Sequence, residues 1–128
     1  MRYTLVASLI IIMLASGCKK NVVVLPLADQ ALGVYQITQY SFNGNTAPDM
    51  DVKDKVQMLK ISDSTVVALV YFMGNNYSFA NIVVNQGAST LALSYTDVNI
   101  SISGNITGSD MTLSLRTMDD ITFTCKKQ

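Results

Sequence analysis

The sequence of 128 residues is 49% hydrophobic and only 14% charged, and its nine basic side chains balance nine acidic ones. This length provides for one domain with a single modest core. The even charge balance does not supply the basic field that nucleic-acid binding requires. Because the chain contains no histidine, Ser-His-Asp and Cys-His nucleophilic sites and the usual zinc ligand sets are excluded.

The amino-terminal segment has the three parts of an export signal. Arg2 is the positively charged region, Leu5–Leu14 is the apolar stretch, and Ala15–Gly17 is a run of small residues before the cleavage point. A transmembrane helix needs about 20 apolar residues, and this apolar run ends earlier, at Lys19-Lys20. We therefore expect a cleaved signal over residues 1–17, with an uncleaved amino-terminal anchor as the alternative.

The end of this leader, Leu14-Ala15-Ser16-Gly17-Cys18, resembles the lipobox of bacterial lipoproteins. The resemblance implies that the signal is cut before Cys18, that the thiol is diacylated and that the new amino terminus is acylated. Buried acyl chains contribute about 0.8 kcal/mol per CH₂, which is enough for stable anchoring in a membrane. In the bacterial lipoproteins that this segment resembles, an Asp directly after the cysteine is the signal for retention in the inner membrane. Lys19 stands there instead, which favours the outer membrane, by default on its periplasmic face.

After the leader we predict a lipidated tether over residues 18–30 and an all-β domain over residues 31–128. From Ala31 the sequence changes to short β-rich runs between turn residues, with no helical period of adequate length. A polar loop is predicted at Thr46–Lys53. The eight predicted strands, at a spacing of about ten residues, are Gly33–Phe42, Lys55–Ile61, Thr65–Met73, Tyr77–Val84, Ser89–Tyr95, Val98–Thr107, Met111–Thr117 and Ile121–Lys126.

Hairpin-length links between these strands favour an antiparallel eight-stranded meander barrel, because a Greek key needs longer crossovers. A β-sandwich is the alternative. The strand Thr65–Met73 is apolar on both faces, which indicates a cavity on one side and a covering surface on the other. Gly104 interrupts an alternating strand and is typical of a bend or bulge at a barrel corner.

Two stretches resemble the lipocalins. Leu32-Gly33-Val34-Tyr35 at the start of the first strand resembles their Gly-x-Trp opening, with Tyr in the place of Trp. The Gly-rich hairpin Ile102–Leu113 and the closing strand Ile121–Lys127 are similar to small lipocalin-like bacterial lipoproteins. The resemblance covers about residues 31–127. It implies a cup that holds a small apolar ligand, without specifying which one.

Few residues offer catalytic or metal-binding chemistry. The chain has no Glu, so carboxylate-pair catalysis would depend on Asp alone, and we expect no enzyme activity, no cofactor and no metal. Asp49, Asp51 and Asp54 carry the oxygen ligands that Ca²⁺ prefers, but the Gly and distant Glu of an EF-hand are absent. A solvated loop that keeps the barrel rim soluble is the simpler interpretation.

The two cysteines are assigned different roles. With Cys18 used for lipidation, Cys125 lies on the apolar face of the last strand with Ile121 and Phe123. The sequence predicts a buried thiol there, since cysteine behaves as a small hydrophobe. A disulfide between the two cysteines, or a reactive or intermolecular thiol, is the alternative.

Alternation assigns Tyr35, Tyr71 and Phe79 to the barrel interior as candidate ligand-binding residues, with ordinary core packing as the alternative. The first hypothesis for function is a lipid-anchored cell-envelope module that binds a small apolar ligand. The second is a structural or protein-interaction lipoprotein whose barrel is filled and whose exposed strand face contacts an envelope protein. An internal cavity of several hundred Å³ would favour the first.

Overall fold

The computed structural model describes residues 25–48 and 51–128. The export signal, Cys18 and Asp49 therefore lie outside the described residues. Within these ranges the chain has one helix, α1 (Leu27–Ala31), which lacks the length and hydropathy of a membrane span. Nine strands follow in the described chain, with the bounds β1 (Gly33–Phe42), β2 (Asn45–Pro48), β3 (Lys55–Lys60), β4 (Thr65–Phe72), β5 (Asn75–Gln86), β6 (Leu91–Thr96), β7 (Ser101–Thr107), β8 (Asp110–Arg116) and β9 (Asp120–Lys127).

The strands form one antiparallel sheet that closes on itself. Eight strands of the described chain follow in the order β1-β3-β4-β5-β6-β7-β8-β9, and β9 pairs back with β1 from Tyr35↔Lys127 to Phe42↔Ile121. This closure confirms the predicted meander barrel and excludes the β-sandwich. Each of these eight strands pairs on both sides, so closure removes the edges of the eight-stranded sheet.

The extra strand β2 lies where the sequence predicted the beginning of a polar loop. It forms a hairpin with the second half of β1 through the turn Asn43-Gly44, whose φ angles are 49° and 86°. Two positive φ angles define the turn type for which Asn-Gly is the preferred pair. β1 pairs with β3 over Gly33–Gln36 and with β2 over Gln39–Phe42, so β2 extends the barrel wall beyond β3.

A bulge in β1 changes which side chains face the interior. The register of β1 against β9 shifts between Ile37 and Gln39, so Thr38 is an extra residue and its hydroxyl donates to the carbonyl oxygen of Thr124 at 3.0 Å. Ile37 is buried below the bulge, and the half-buried Tyr40 takes up the inward position above it. A bulge of this kind bends the strand and re-aims its side chains.

A second bulge lies in β5. Val66↔Ile82 and Ala68↔Phe79 are successive inward pairs with β4, so β5 has one residue more than β4 between them. The extra residue is accommodated where Asn81 has a φ of 61°, a left-handed conformation that Asn tolerates. Ile82 is fully buried and Phe79 is half-buried, and both face the interior.

The end of the barrel at which the chain enters is closed by α1. Ala28 and Ala31 are fully buried beneath the barrel, and the N–H of Ala28 donates to the carbonyl oxygen of Asp63 in the β3–β4 turn at 3.0 Å. The hydroxyl of Tyr35 donates to the carbonyl oxygen of Ala31 at 2.9 Å. Residues 27–31, which were predicted mostly as part of the tether, thus form the floor of the barrel.

Two further expectations concern single residues. Cys125 is buried on the inner face of β9, 2% exposed, as predicted. Val98 is 98% exposed in the β6–β7 turn and does not belong to a strand. The predicted strand Val98–Thr107 therefore begins too early, because Val98 belongs to a turn that the side chain of Asp97 stabilises.

Candidate ligand-binding site

A cavity of about 510 Å³ opens at the end of the barrel opposite α1. We name this cavity the cup. Its volume lies within the range of roughly 300–1,000 Å³ found for small-molecule sites. Eleven of its fourteen lining residues in the described chain are apolar or aromatic, so the wall is mainly hydrophobic. The lining residues are Tyr40, Phe42, Val70, Phe72, Met73, Asn75, Tyr77, Phe79, Ile100, Leu115, Thr117, Asp119, Ile121 and Phe123.

Three aromatic rings form a continuous wall of the cup. The ring of Phe72 lies between Tyr40 and Phe123, with centroids 4.9 Å and 5.0 Å apart and interplanar angles of 72° and 71°. These are edge-to-face contacts, which contribute about 0.5–1.5 kcal/mol each beyond the apolar area that they bury. Because the rings hold one another in place, this wall is formed before a ligand arrives.

The turns at the open end are hydrogen-bonded to one another. The side-chain amide of Asn43 donates to Asp119 Oδ1 at 3.0 Å, and its oxygen accepts from the N–H of Asp120 at 2.8 Å. The N–H of Asn43 also donates to the carbonyl oxygen of Asp120 at 2.8 Å. The β1–β2 and β8–β9 turns therefore act as one unit on this side of the mouth.

Asp54 fixes the opposite side of the mouth. It is only 4% exposed, so the prediction of a solvated aspartate loop is wrong for this residue. Its Oδ1 accepts from the N–H of Met73 at 3.2 Å, in the β4–β5 turn, and its carbonyl oxygen accepts from Ile37 at 3.1 Å. Asp51 accepts from the N–H of Lys53 at 3.0 Å, and within the described ranges no three acidic or thiol groups are placed to hold a metal.

Asp97 organises the β6–β7 turn at the rim. Its Oδ1 accepts from the N–H groups of Asn99 and Ile100 at 2.7 Å and 2.9 Å, and its Oδ2 accepts from the hydroxyl of Tyr95 at 2.8 Å. These hydrogen bonds hold the pKa of the Asp97 carboxyl below its ordinary value, and the hydrogen bond from Asn99 makes the largest contribution. The turn thereby positions Ile100 in the lining of the cup.

The structure separates the three residues that alternation assigned to a ligand. Phe79 lines the cup. Tyr35 is fully buried at the closed end, outside the lining. Tyr71 does not face the interior. It lies on the outer surface, where Lys55 Nζ is 5.2 Å from its ring centroid, while its neighbour Val70 is the buried inward residue.

The assignment of Tyr71 failed because both faces of β4 are apolar, so alternation alone does not fix which face is inside. The neighbouring strand carries the missing signal. Lys55 pairs with Tyr71 and Gln57 pairs with Leu69, and paired residues share one face of a sheet. The polar face of β3 is therefore the outer face, and it places Phe72 in the interior.

No family model and no curated protein matches the chain. Among solved structures, the chain is similar to the crystal structure of a candidate outer membrane protein from Bacteroides fragilis, with a TM-score of 0.58 and 21% sequence identity. The match covers 83% of this chain and 54% of the Bacteroides fragilis chain, so this chain spans about half the length of the protein that it matches. At this level of identity the likeness supports the barrel fold.

Proposed function

We propose that the protein is a lipid-anchored, lipocalin-like module of the cell envelope that binds a small apolar molecule in the cup. The observation that carries this proposal is the open apolar cavity of about 510 Å³ at one end of the barrel. A barrel that served only as a scaffold would fill this volume with side chains, as its lower half does. The cup instead presents preformed hydrophobic surface, which favours binding of an apolar ligand.

The proposed anchor is compatible with the direction in which the cup opens. Cys18 precedes Leu27 by nine residues, so the connecting segment spans at most about 30 Å when extended. The chain then enters the barrel through α1 at the closed end. We infer that the closed end is turned towards the periplasmic face of the outer membrane and that the cup opens to the aqueous side. The likeness to a candidate outer membrane protein supports the cell envelope as the location, without specifying the face of the membrane.

The lining favours binding over catalysis. Apolar and aromatic side chains dominate it, and Asp119 is the one residue with a charged side chain among the described lining residues. General acid–base or nucleophilic catalysis needs a positioned group whose reactivity is raised by its surroundings, whereas Asp119 is an exposed carboxylate at the mouth. The proposal therefore assigns the protein no reaction.

A protein-interaction role is the alternative. Leu59 and Val83 are 40% and 37% exposed on the outer face of β3–β5, next to the half-buried Val67 and Leu69. A contiguous exposed apolar face of this kind is typical of a protein-interaction site. It becomes the preferred explanation if the cup does not bind a ligand.

The test is a titration with the uncharged probe N-phenyl-1-naphthylamine, whose emission rises in apolar surroundings. The protein is a chain that begins at residue 18, carries Cys18→Ser and retains every described residue, so that it is purified without detergent. Thr117→Trp places a large ring in the mouth of the cup, and Thr107→Trp is the matched control at the closed end. We expect saturable binding that Thr117→Trp abolishes and Thr107→Trp preserves.

Two results would contradict the proposal. The absence of saturable binding in the unsubstituted chain would leave the outer face as the functional surface. Binding that survives Thr117→Trp unchanged would place the probe outside the cup. The anchor has its own measurement in cells: Cys18→Ser should move the protein from the membrane fraction to the soluble fraction, and unchanged membrane association would refute lipidation at this position.

A further inference from the structure

The polar part of the cup is acidic. Asp119, at the mouth, is the single charged residue among the described residues that line the cavity, and the lining contains no lysine or arginine. Asp119 Oδ1 accepts one hydrogen bond, from Asn43 at 3.0 Å. Within the described residues, its Oδ2 has no hydrogen-bond donor. A ligand in the cup thus meets an uncompensated carboxylate.

The neighbouring basic residue does not offset this charge. Arg116 precedes the turn, but its Nε is 2.8 Å from Asp120 Oδ1, so its charge is already paired. The side chain is also about three-quarters exposed and is not part of the lining. The β6–β7 turn adds a second carboxylate, that of Asp97, to the same end of the barrel. Lys53 and Lys55 also lie at this end of the barrel, beside Asp51 and Asp54. Among the described residues, five aspartates therefore face three basic side chains around the mouth, and the net charge there is negative.

The aromatic lining acts in the same direction. Tyr40, Tyr77 and Phe42 belong to the part of the cup nearest the open end, and Phe42 and Tyr77 are each 47% exposed. The face of an aromatic ring carries negative electrostatic potential and attracts cations. A carboxylate that enters the cup would lose hydration and meet no positive partner, which is unfavourable. A cationic head group would find a carboxylate and aromatic rings at the same end of the cup.

Building on the proposed binding function, we propose that the cup selects an apolar molecule with a cationic head group, such as an amine, and that Asp119 determines this selection. The apolar body occupies the cavity between the aromatic wall and the floor, and the charged group stays at the mouth. Fatty acids and other carboxylate-bearing lipids are disfavoured ligands of the same cup. Charge thus determines which class of apolar molecule binds, and the apolar lining limits only the size of that molecule.

The selectivity is measured by displacement of N-phenyl-1-naphthylamine with three ligands of equal chain length: decylamine, 1-decanol and decanoic acid. The concentrations stay below self-association, at neutral pH and low ionic strength. We expect the amine to bind most tightly and the acid least. Because Asp119 is exposed, attraction of the amine and repulsion of the acid each contribute roughly threefold, so the two affinities differ by about tenfold. Added salt should reduce this ratio.

Asp119→Asn removes the charge and keeps an oxygen that accepts from Asn43. We expect it to reduce the ratio of amine to acid affinity by at least about threefold. Asp110→Asn, in the β7–β8 turn at the closed end, makes the same change in net charge far from the cup. It should leave the ratio unchanged.

The outcomes distinguish this inference from the proposed function. Displacement of the probe by the acid as readily as by the amine would overturn the inference and leave ligand binding in the cup intact. A ratio that Asp119→Asn does not alter would remove Asp119 from the mechanism of selection. If the probe itself does not bind in the cup, the proposed function and the inference fail together.

Discussion

The hydroxyl of Tyr35 links α1 to the barrel, and its removal tests whether the closed end is independent of the cup. The side chain is fully buried, and the hydroxyl donates to the carbonyl oxygen of Ala31 at 2.9 Å. A hydrogen bond of this kind contributes about 1 kcal/mol net, and an acceptor left unsatisfied costs about 1–3 kcal/mol. Because Tyr35→Phe keeps the ring, we expect the free energy of unfolding to fall by about 1–2 kcal/mol.

The assay is urea unfolding of the natural and Tyr35→Phe proteins, together with a titration of each with the apolar probe. For a domain of this size, 1 kcal/mol corresponds to about 4–8 °C in Tm. The affinity of the cup should not change, because Tyr35 lies outside its lining. Unchanged stability would refute the hydrogen bond to α1. A loss of affinity at unchanged stability would place Tyr35 in the binding site after all.

The same variant has a signature at high pH. Burial, with a smaller contribution from Cys125, raises the pKa of Tyr35 above its ordinary value of 10.0. The folded state therefore favours the neutral hydroxyl of Tyr35. Its contribution to stability is complete below the pKa that Tyr35 has in the unfolded chain, and it is lost as the pH rises through the pKa that Tyr35 has in the folded protein. The stability difference between the natural protein and Tyr35→Phe should narrow above about pH 10.

Three further changes test the cup, the sheet and the rim. Phe72→Ala removes two edge-to-face ring contacts and should lower the unfolding free energy by about 2–3 kcal/mol in urea; a loss below 1 kcal/mol would show that the rings do not pack. Gly104→Ala places a methyl group onto the carbonyl oxygen of Thr112, so we expect a loss of at least about 2 kcal/mol, and a neutral effect in the same assay would refute this close approach of β7 and β8. Hydrogen bonds, of which that from Asn99 contributes most, lower the pKa of Asp97 in the folded protein. The ionised Asp97 therefore stabilises the fold above the ordinary pKa of a carboxyl group, and this stabilisation is lost as the pH falls through the pKa of Asp97 in the folded protein. Asp97→Ala should therefore flatten the acid side of the stability curve measured by urea unfolding, and an unchanged acid side would contradict the turn geometry.

The sequence predicts the strands well because each strand of this barrel buries one face. The bounds of β1 are those predicted, Gly33–Phe42, and the other barrel strands differ mainly at their ends, where turns compete with pairing. The helix Leu27–Ala31 was not predicted, because five residues are too short to show a helical period. The strand Asn45–Pro48 was not predicted either, since its four residues carry no apolar alternation and depend on pairing with β1.

The candidate site was harder to predict than the fold. Alternation gives correct inward positions only up to the first irregularity of a strand. In β1 it identifies Tyr35 and Ile37, and it would then place Gln39 inside, whereas the structure places Tyr40 there. No residue type marks Thr38 as an extra residue in advance, because the bulge is determined by the closure of β1 onto β9.

The two bulges also shape the half of the barrel in which the cup lies. Below them, medium-sized side chains such as Ile37, Met58 and Ile82 pack into a closed core. Above them, the change of phase brings Tyr40 of β1 and Phe79 of β5 to the inner wall. Tyr40 packs edge to face on Phe72, which regular alternation along β4 already places inside. A bulge also bends its strand and increases the local twist, which favours a wider open end. Two of the aromatic side chains that line the cup, those of Tyr40 and Phe79, therefore owe their inward positions to the two extra residues in the strands.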